Sequence, residues 1–198
     1  MQIRKWLTKK VLDSLEEMQK KEPEKYSQFW RQFGRVVKEG PTFDFDNKDR
    51  LIGLCLFDSS ADAEKPTSLQ DYIARMKPDQ SSLYYITGPS RRAVENSPHL
   101  EAFRDKGYEV LFMVDPVDEM LMQWLPEYEG KKLKSVAKGA ADLGEQKHLD
   151  EKKGEFSRLT EALQKRLEDR VKEVRLSNRL TSSPACLVVA EHDVSPNL

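Results

Sequence analysis

The chain has 198 residues, a length that fits one sizeable domain or two small ones. Its 33 Lys and Arg nearly balance its 34 Asp and Glu, so composition gives no reason to expect nucleic acid or an acidic membrane as a partner. No apolar run approaches the roughly 18 residues of a membrane span, and the N-terminus lacks a signal-peptide core. The two cysteines, Cys55 and Cys186, lie too far apart to suggest a disulfide framework or a structural zinc site. Composition therefore predicts a soluble, intracellular and helix-rich protein.

The first part of the chain predicts three helices. Apolar residues recur at helical spacing over 3–18 and again over 26–37, with charged residues between them. Pro23 separates the two stripes because proline lacks the donor that a continuing helix needs. Gly40-Pro41 is a helix stop signal. A third helix is predicted over about 47–57, where apolar residues are too dense for a surface segment.

The clearest local pattern in the chain predicts a βαβ unit. Near-continuous apolar runs at 82–87 and 108–114 predict two strands, and a helix over 90–106, interrupted near Ser97-Pro98, separates them. Parallel pairing through a right-handed crossover is the default for this arrangement. A Ser-, Ala- and Asp-rich segment at 58–66 precedes the unit and is predicted to be an exposed loop.

Two further elements complete the larger predicted unit. A short helix follows at 117–125, and an edge strand is predicted at 131–136. Residues 1–138 are therefore predicted to form a three-layer α/β/α sandwich with a small, mostly parallel sheet and extra N-terminal helices.

The last third of the chain differs in composition. Residues 139–154 are mostly charged, small or Gly and predict a linker. Residues 155–198 contain a long amphipathic helix and a strand predicted at 185–190. A unit with so few helices and strands can bury only a small surface. This second unit is therefore predicted to be an incomplete α+β unit.

The turn from Gly88 to Arg92 is a candidate anion site. A helix N-terminus with nearby positive charge suits an anion at the carboxyl end of a parallel strand. However, neither dinucleotide nor P-loop glycine spacing is present, and Pro89 removes one of the amides that a phosphate cradle would use. Ser90 as an N-cap is the structural alternative. A small α/β enzyme or nucleotide-binding module is therefore kept as the second hypothesis.

No catalytic or metal site is predicted. Asp115, Asp118 and Glu119 follow the second strand without a nucleophile or histidine beside them, and carboxylates also suit the first turn of a helix. The three histidines share no metal-ligand spacing: His99, His148 and His192.

The helix after the second strand is unusually apolar. Met120, Met122 and Trp124, with two Leu, surround more than one helix face. Flexible thioether side chains suit adaptable binding surfaces, so part of this helix is a candidate binding patch. Burial of the whole helix between two domains remains an equal alternative.

Short segments along nearly the whole chain resemble the heat shock protein 90 family of molecular chaperones, most nearly its bacterial HtpG type. The longest match is Tyr26-Ser27-Gln28-Phe29-Trp30-Arg31-Gln32-Phe33-Gly34, and the last is Arg179-Leu180-Thr181-Ser182-Ser183-Pro184-Ala185. The others follow in the family's order at 8–12, 37–40, 68–72, 84–87, 97–101, 106–111 and 118–119.

The resemblance implies a fragment that spans the second half of the family's middle domain and the start of its C-terminal domain. The nucleotide-binding domain and the loop with the phosphate-contacting arginine would then lie outside it. ATP and Mg²⁺ would belong to the full-length protein, a cytoplasmic homodimeric ATPase of the stress response. The resemblance thus implies no catalytic residue, cofactor or enzyme activity for these residues.

The resemblance also implies protein partners, namely unfolded or partly folded clients and co-chaperones. It places the client contacts near the junction of the two domains, at the positions of Glu119 and Met120 with Met122 and Trp124 beside them. The position of Met120 is often Trp in HtpG-type relatives, so this sequence departs from the pattern there. Neither nucleic acid nor a membrane is an expected partner.

Overall fold

A computed structural model describes residues 2–140, 143, 146–190 and 193 of the chain. Three helices lead into the sheet: α1 (Gln2–Lys21), α2 (Pro23–Phe43) and α3 (Lys48–Leu54). The predicted stop at Gly40-Pro41 is wrong by one turn, because α2 continues through Pro41 to Phe43. In this last turn the hydroxyl of Thr42 donates to the carbonyl of Glu39.

The predicted α/β arrangement is confirmed. The strands are β1 (Asp58–Ser59), β2 (Leu83–Thr87), β3 (Val110–Met113), β4 (Glu127–Tyr128) and β5 (Lys131–Ser135). They form one sheet in the order β1-β3-β2-β5-β4, in which β2 is parallel to both β3 and β5. The edge strands β1 and β4 are antiparallel to their neighbours. The predicted loop at 58–66 is therefore wrong at its first two residues.

Short helices connect these strands. They are α4 (Leu69–Arg75), α5 (Arg91–Glu95), α6 (Glu101–Asp105) and α7 (Pro116–Trp124). The predicted interruption at Ser97-Pro98 is confirmed, since a 3₁₀ turn at Pro98–Leu100 separates α5 from α6. Ser97 caps this turn by accepting a hydrogen bond from the His99 amide.

Apolar side chains pack on both faces of the sheet. Leu111 and Met113 of β3 belong to the cluster under α1, α2, α3 and α7, whereas Val110 and Phe112 point to the opposite cluster. Phe103 of α6 packs in this second cluster. The alternation along one strand thus supplies two cores, and the three-layer sandwich is confirmed.

The chain after the sheet is less regular. Helix α8 (Gln146–Leu167) begins inside the segment predicted as a linker, because that charged stretch has enough good helix formers to tolerate Gly154. The predicted strand at 185–190 is wrong over most of its length, since Val189 pairs only through a single bridge with Lys138. No helix among the described residues is long and apolar enough to cross a membrane.

Candidate functional site

Helix α7 begins directly at the carboxyl end of β3. Asp115 is its N-cap, Pro116 occupies the first turn, and Asp118 completes a capping box. The Asp118 carboxylate accepts a hydrogen bond from the Asp115 amide at 3.0 Å. The capping role predicted for these carboxylates is therefore confirmed.

A buried ion cluster fixes α7 against α2. The Lys38 ammonium lies 2.8 Å from a carboxylate oxygen of both Asp115 and Asp118, and Arg35 donates to Asp115 at 2.7 Å. The Lys38 and Asp118 side chains are only 6% and 0% exposed. The Lys38 ammonium also lies 5.1 Å from the ring centroid of Phe57, within cation–π range.

The protonation behaviour of the cluster follows from this burial. Burial alone would lower the pKa of Lys38, but the two neighbouring carboxylates outweigh it and raise that pKa. Burial raises the pKa of Asp118 despite the adjacent ammonium. Asp115 is nearer to solvent and contacts two cations, so its pKa is lowered even though burial opposes this shift.

The structure separates the four candidate binding residues of α7. Met120 and Trp124 lie on the surface, 47% and 45% exposed. Met122 is instead a core residue at 9% exposure, because it lies on the sheet-facing side of the helix. Glu119 is half-buried, and its Oε1 has no hydrogen-bond partner among the described residues. The exposed candidate surface therefore excludes Met122.

Sequence reasoning missed one aromatic residue of this surface. The ring of Phe45, 61% exposed, lies 5.7 Å from the Trp124 ring between centroids. The Lys48 ammonium donates to the Trp124 carbonyl at 2.7 Å and holds this turn against the end of α7. The sequence signal that could have indicated Phe45 is its position as an apolar residue among Asp44, Asp46 and Asn47. We call Phe45, Met120 and Trp124 the α7 surface.

In the turn from Gly88 to Arg92, the Ser90 and Arg91 side chains already have partners within the protein. Arg91 is already paired with Asp58 at 3.0 Å and with Glu95 at 2.6 Å. Ser90 accepts the amide of Ala93 as an N-cap. The predicted structural alternative thus describes this turn.

No arrangement for a metal ion is present within the described ranges, where no three His, Cys, Asp or Glu side chains form a suitable group. The His148 side chain and His192 fall outside the described part. Cys55 is fully buried, and burial raises the pKa of its thiol to about 12, which makes it a poor nucleophile.

Comparisons with known proteins agree along the whole chain. The family model described as Hsp90 protein matches residues 1–198. The chaperone protein HtpG of Mycobacterium avium is 50% identical over 201 residues, and that of Frankia casuarinae is 48% identical over 206 residues. Each alignment covers 99% of this chain but only 31% of the relative.

A solved structure supports the same family. The middle domain of a Plasmodium falciparum heat shock protein has a TM-score of 0.65 and 32% sequence identity, covering 69% of this chain and 57% of that chain. The chain spans about a third of the length of the HtpG relatives that it matches. With a family match over every residue and a shared middle-domain fold, the chain belongs to the Hsp90 family of chaperones.

Proposed function

We propose that this chain is a segment of a molecular chaperone and that its α7 surface, with Glu119 beside it, contributes to the binding of non-native client proteins. The grouping of exposed Met120 and Trp124 on one helix, with the Phe45 ring beside Trp124, carries the proposal, because contiguous exposed apolar patches mark binding sites whereas singly exposed apolar side chains are common. Family membership supports a chaperone, and the α7 surface is where we propose that clients bind.

The chemistry of the surface suits partners of varied sequence. Trp124 and Phe45 offer rigid aromatic area, whereas the thioether of Met120 can adapt to differently shaped side chains. Their combined exposed area is on the order of 300 Å², well below the roughly 800 Å² per partner of a stable complex. The proposed binding is therefore weak and reversible, as release of clients requires.

Ion pairs and a buried leucine support the surface from beneath. The ion pairs of Lys38 with Asp115 and Asp118 tie α7 to α2, and Leu121 is fully buried below the exposed residues. A client would therefore meet a patch whose backbone is already ordered, which lowers the entropy cost of binding.

We infer further that the nucleotide chemistry of the whole protein lies outside this chain. ATP and Mg²⁺ would bind to another domain, and these residues would supply no catalytic group. The full-length protein would be a cytoplasmic homodimer that hydrolyses ATP and works with co-chaperones. ATP turnover by the purified chain, retained after removal of contaminating ATPases, would contradict this division of labour.

The test of the client surface is a binding measurement with Met120→Ser/Trp124→Ser. The probe is a fluorescently labelled, permanently unfolded lactalbumin, and its anisotropy reports the Kd. We expect the Kd to rise by about tenfold or more, since each buried large apolar side chain contributes about 1.5–3 kcal/mol. Phe45→Ser should give a smaller rise in the same direction.

Leu159→Ser/Leu163→Ser on α8 is the matched control, because these leucines are 55% and 40% exposed. It should leave the Kd unchanged. Equal weakening by both double variants, or an unchanged Kd in the α7 variant, would refute the assignment. A thermal melt of each variant verifies that the fold is retained.

A further inference from the structure

The segment at residues 177–190, which we call the strap, is attached to the α/β unit by polar contacts. Arg179 donates through one guanidinium nitrogen to the carbonyls of Lys138 at 3.2 Å and Gly139 at 3.0 Å. The Ala102 amide donates in turn to the Arg179 carbonyl. Arg179 thus joins the strap both to the chain beyond β5 and to α6.

Glu101 holds the strap at a second point. Its Oε2 accepts hydrogen bonds from three consecutive backbone amides, those of Thr181 and Ser182 at 2.8 Å and Ser183 at 3.1 Å. The Ser183 hydroxyl donates to Oε1 of the same carboxylate. Consecutive amides that converge on one oxygen form an anion-binding nest, and a charged acceptor makes each of these bonds stronger.

A third contact lies at the far end of the strap. The Gly139 amide donates to the Val189 carbonyl at 2.9 Å, and the Val189 amide donates to the Ala137 carbonyl at 3.3 Å. This bridge lies six residues beyond the last amide bound by Glu101. Because the bridge involves no atom of Glu101, its amides give a separate measure of whether the strap is attached.

Little apolar surface supports these contacts. Among the described residues from 171 to 190, Arg179 is the only buried one, at 1% exposure. Leu187, in the middle of the strap, is 78% exposed. Segments with few buried apolar contacts open at low free energy, whereas the sheet is covered by an apolar core on each face.

We propose that Glu101 and Arg179 form a polar clasp and that the strap detaches from the α/β unit as one cooperative piece while the sheet stays folded. The clasp is a releasable connection between the α/β unit and the chain that follows α8. Because the contacts of residues 179–183 converge on two side chains and the far end is attached by the short backbone bridge at Val189, weakening either side chain should free the whole strap. This inference does not depend on the client-binding proposal.

The test is residue-resolved amide hydrogen exchange by NMR on the 198-residue chain. In Glu101→Gln, the three nest amides lose their charged acceptor, and their exchange should accelerate by about tenfold or more. If the strap opens as one piece, the amides of Gly139 and Val189 should accelerate by a similar factor. Amides of β2 and β3 should keep their wild-type rates.

Two further variants sharpen the result. Glu95→Gln on α5 is the matched control, because Glu95 pairs with Arg91 and not with the strap; it should change none of these rates. Arg179→Met should accelerate the nest amides as Glu101→Gln does. If Arg179→Met does not fold, the exchange rates of Glu101→Gln are sufficient to test whether the strap opens as one piece. The proposal would be overturned if exchange of the nest amides accelerated while the amides of Gly139 and Val189 kept their rates. It would also be overturned if the amides of β2 and β3 accelerated equally.

Discussion

Replacing Lys38 by Met removes the cation from the buried cluster beneath α7. Asp115 would keep its ion pair with Arg35, but Asp118 has a fully buried side chain and would lose its only ion-pair partner in the described structure. Its hydrogen bond from the Asp115 amide would remain. The main consequence of the variant is therefore one buried carboxylate without an ion-pair partner.

The expected loss is about 3 kcal/mol at pH 8, the low end of the range for breaking a buried ion pair by removing one partner. Burial already raises the pKa of Asp118, and loss of the ammonium raises it further. Between the unfolded and folded pKa values the native state then holds more protons than the unfolded state, so stability falls as the pH rises. At pH 5 we expect a smaller loss, about 1–2 kcal/mol.

Urea denaturation followed by tryptophan fluorescence at pH 5 and pH 8 measures both values, provided that the m-value is unchanged. Lys38→Met/Asp118→Asn is the companion variant, since Asn keeps an oxygen for the Asp115 amide but carries no charge. It should recover to within about 1.5 kcal/mol of the wild type at both pH values. A single variant that loses less than about 1 kcal/mol, or loses equally at both pH values, would refute the reasoning.

Three further substitutions test other parts of the fold. Gly88→Ala places a Cβ 2.4 Å from Cγ1 of Val94 and should cost about 1–3 kcal/mol in urea denaturation; an unchanged midpoint would contradict this crowding. Tyr72→Phe removes the hydroxyl that donates to the Glu109 carbonyl at 2.5 Å, with an expected cost of about 1–3 kcal/mol in the same assay. Burial lowers the pKa of His99 to about 4, whereas the unfolded chain has the ordinary value of about 6.5. The unfolded state therefore binds a proton first, and the stability of the folded state falls as the pH falls from about 6.5 toward 4. His99→Gln should flatten that part of the measured stability–pH curve, and an unaltered slope would contradict the assignment.

The centre of the sheet was predictable because the neighbouring strands β2 and β3 are apolar on both faces. The runs that form β2 and β3 stand out from a polar chain, and Gly88 and Gly107 mark the turns after β2 and α6. Strand β1 was not predictable in the same way, since Asp58 and Ser59 carry no apolar signal. It forms because the backbone of β3 offers an unpaired edge, so the cause lies in a partner about fifty residues away.

The exposed residues of α7 were only partly predictable. Its unusual apolar content indicated a candidate surface, but the Phe45 ring reaches Trp124 across 79 residues of sequence. The pairing of Lys38 with Asp118 is equally distant in sequence. Local patterns cannot indicate such contacts, which depend on how α2, the following turn and α7 are arranged around the sheet.

Helical periodicity taken alone would bury the wrong side of α7. The most apolar stripe contains Val117, Met120, Leu121 and Trp124, yet Met120 and Trp124 are exposed. The buried stripe contains a carboxylate at its first position: Asp118, Leu121, Met122 and Leu125. Burying a charge on this side is possible because the Lys38 ammonium already lies there.

The ion cluster therefore selects which apolar residues of α7 remain available to a partner. If the helix turned its most apolar stripe inward, Asp118 would lose its ion pair with Lys38, and the Lys38 ammonium would keep only Asp115. Lys38→Met/Asp118→Asn removes this penalty, so the stable double variant should no longer hold α7 in a single orientation. We expect the Trp124 side chain of this variant to be more buried, which its fluorescence would report. We also expect the affinity for the unfolded client to fall. A double variant with wild-type Trp124 exposure and wild-type Kd would show instead that packing of Leu121 and Leu125 alone is enough to orient the helix.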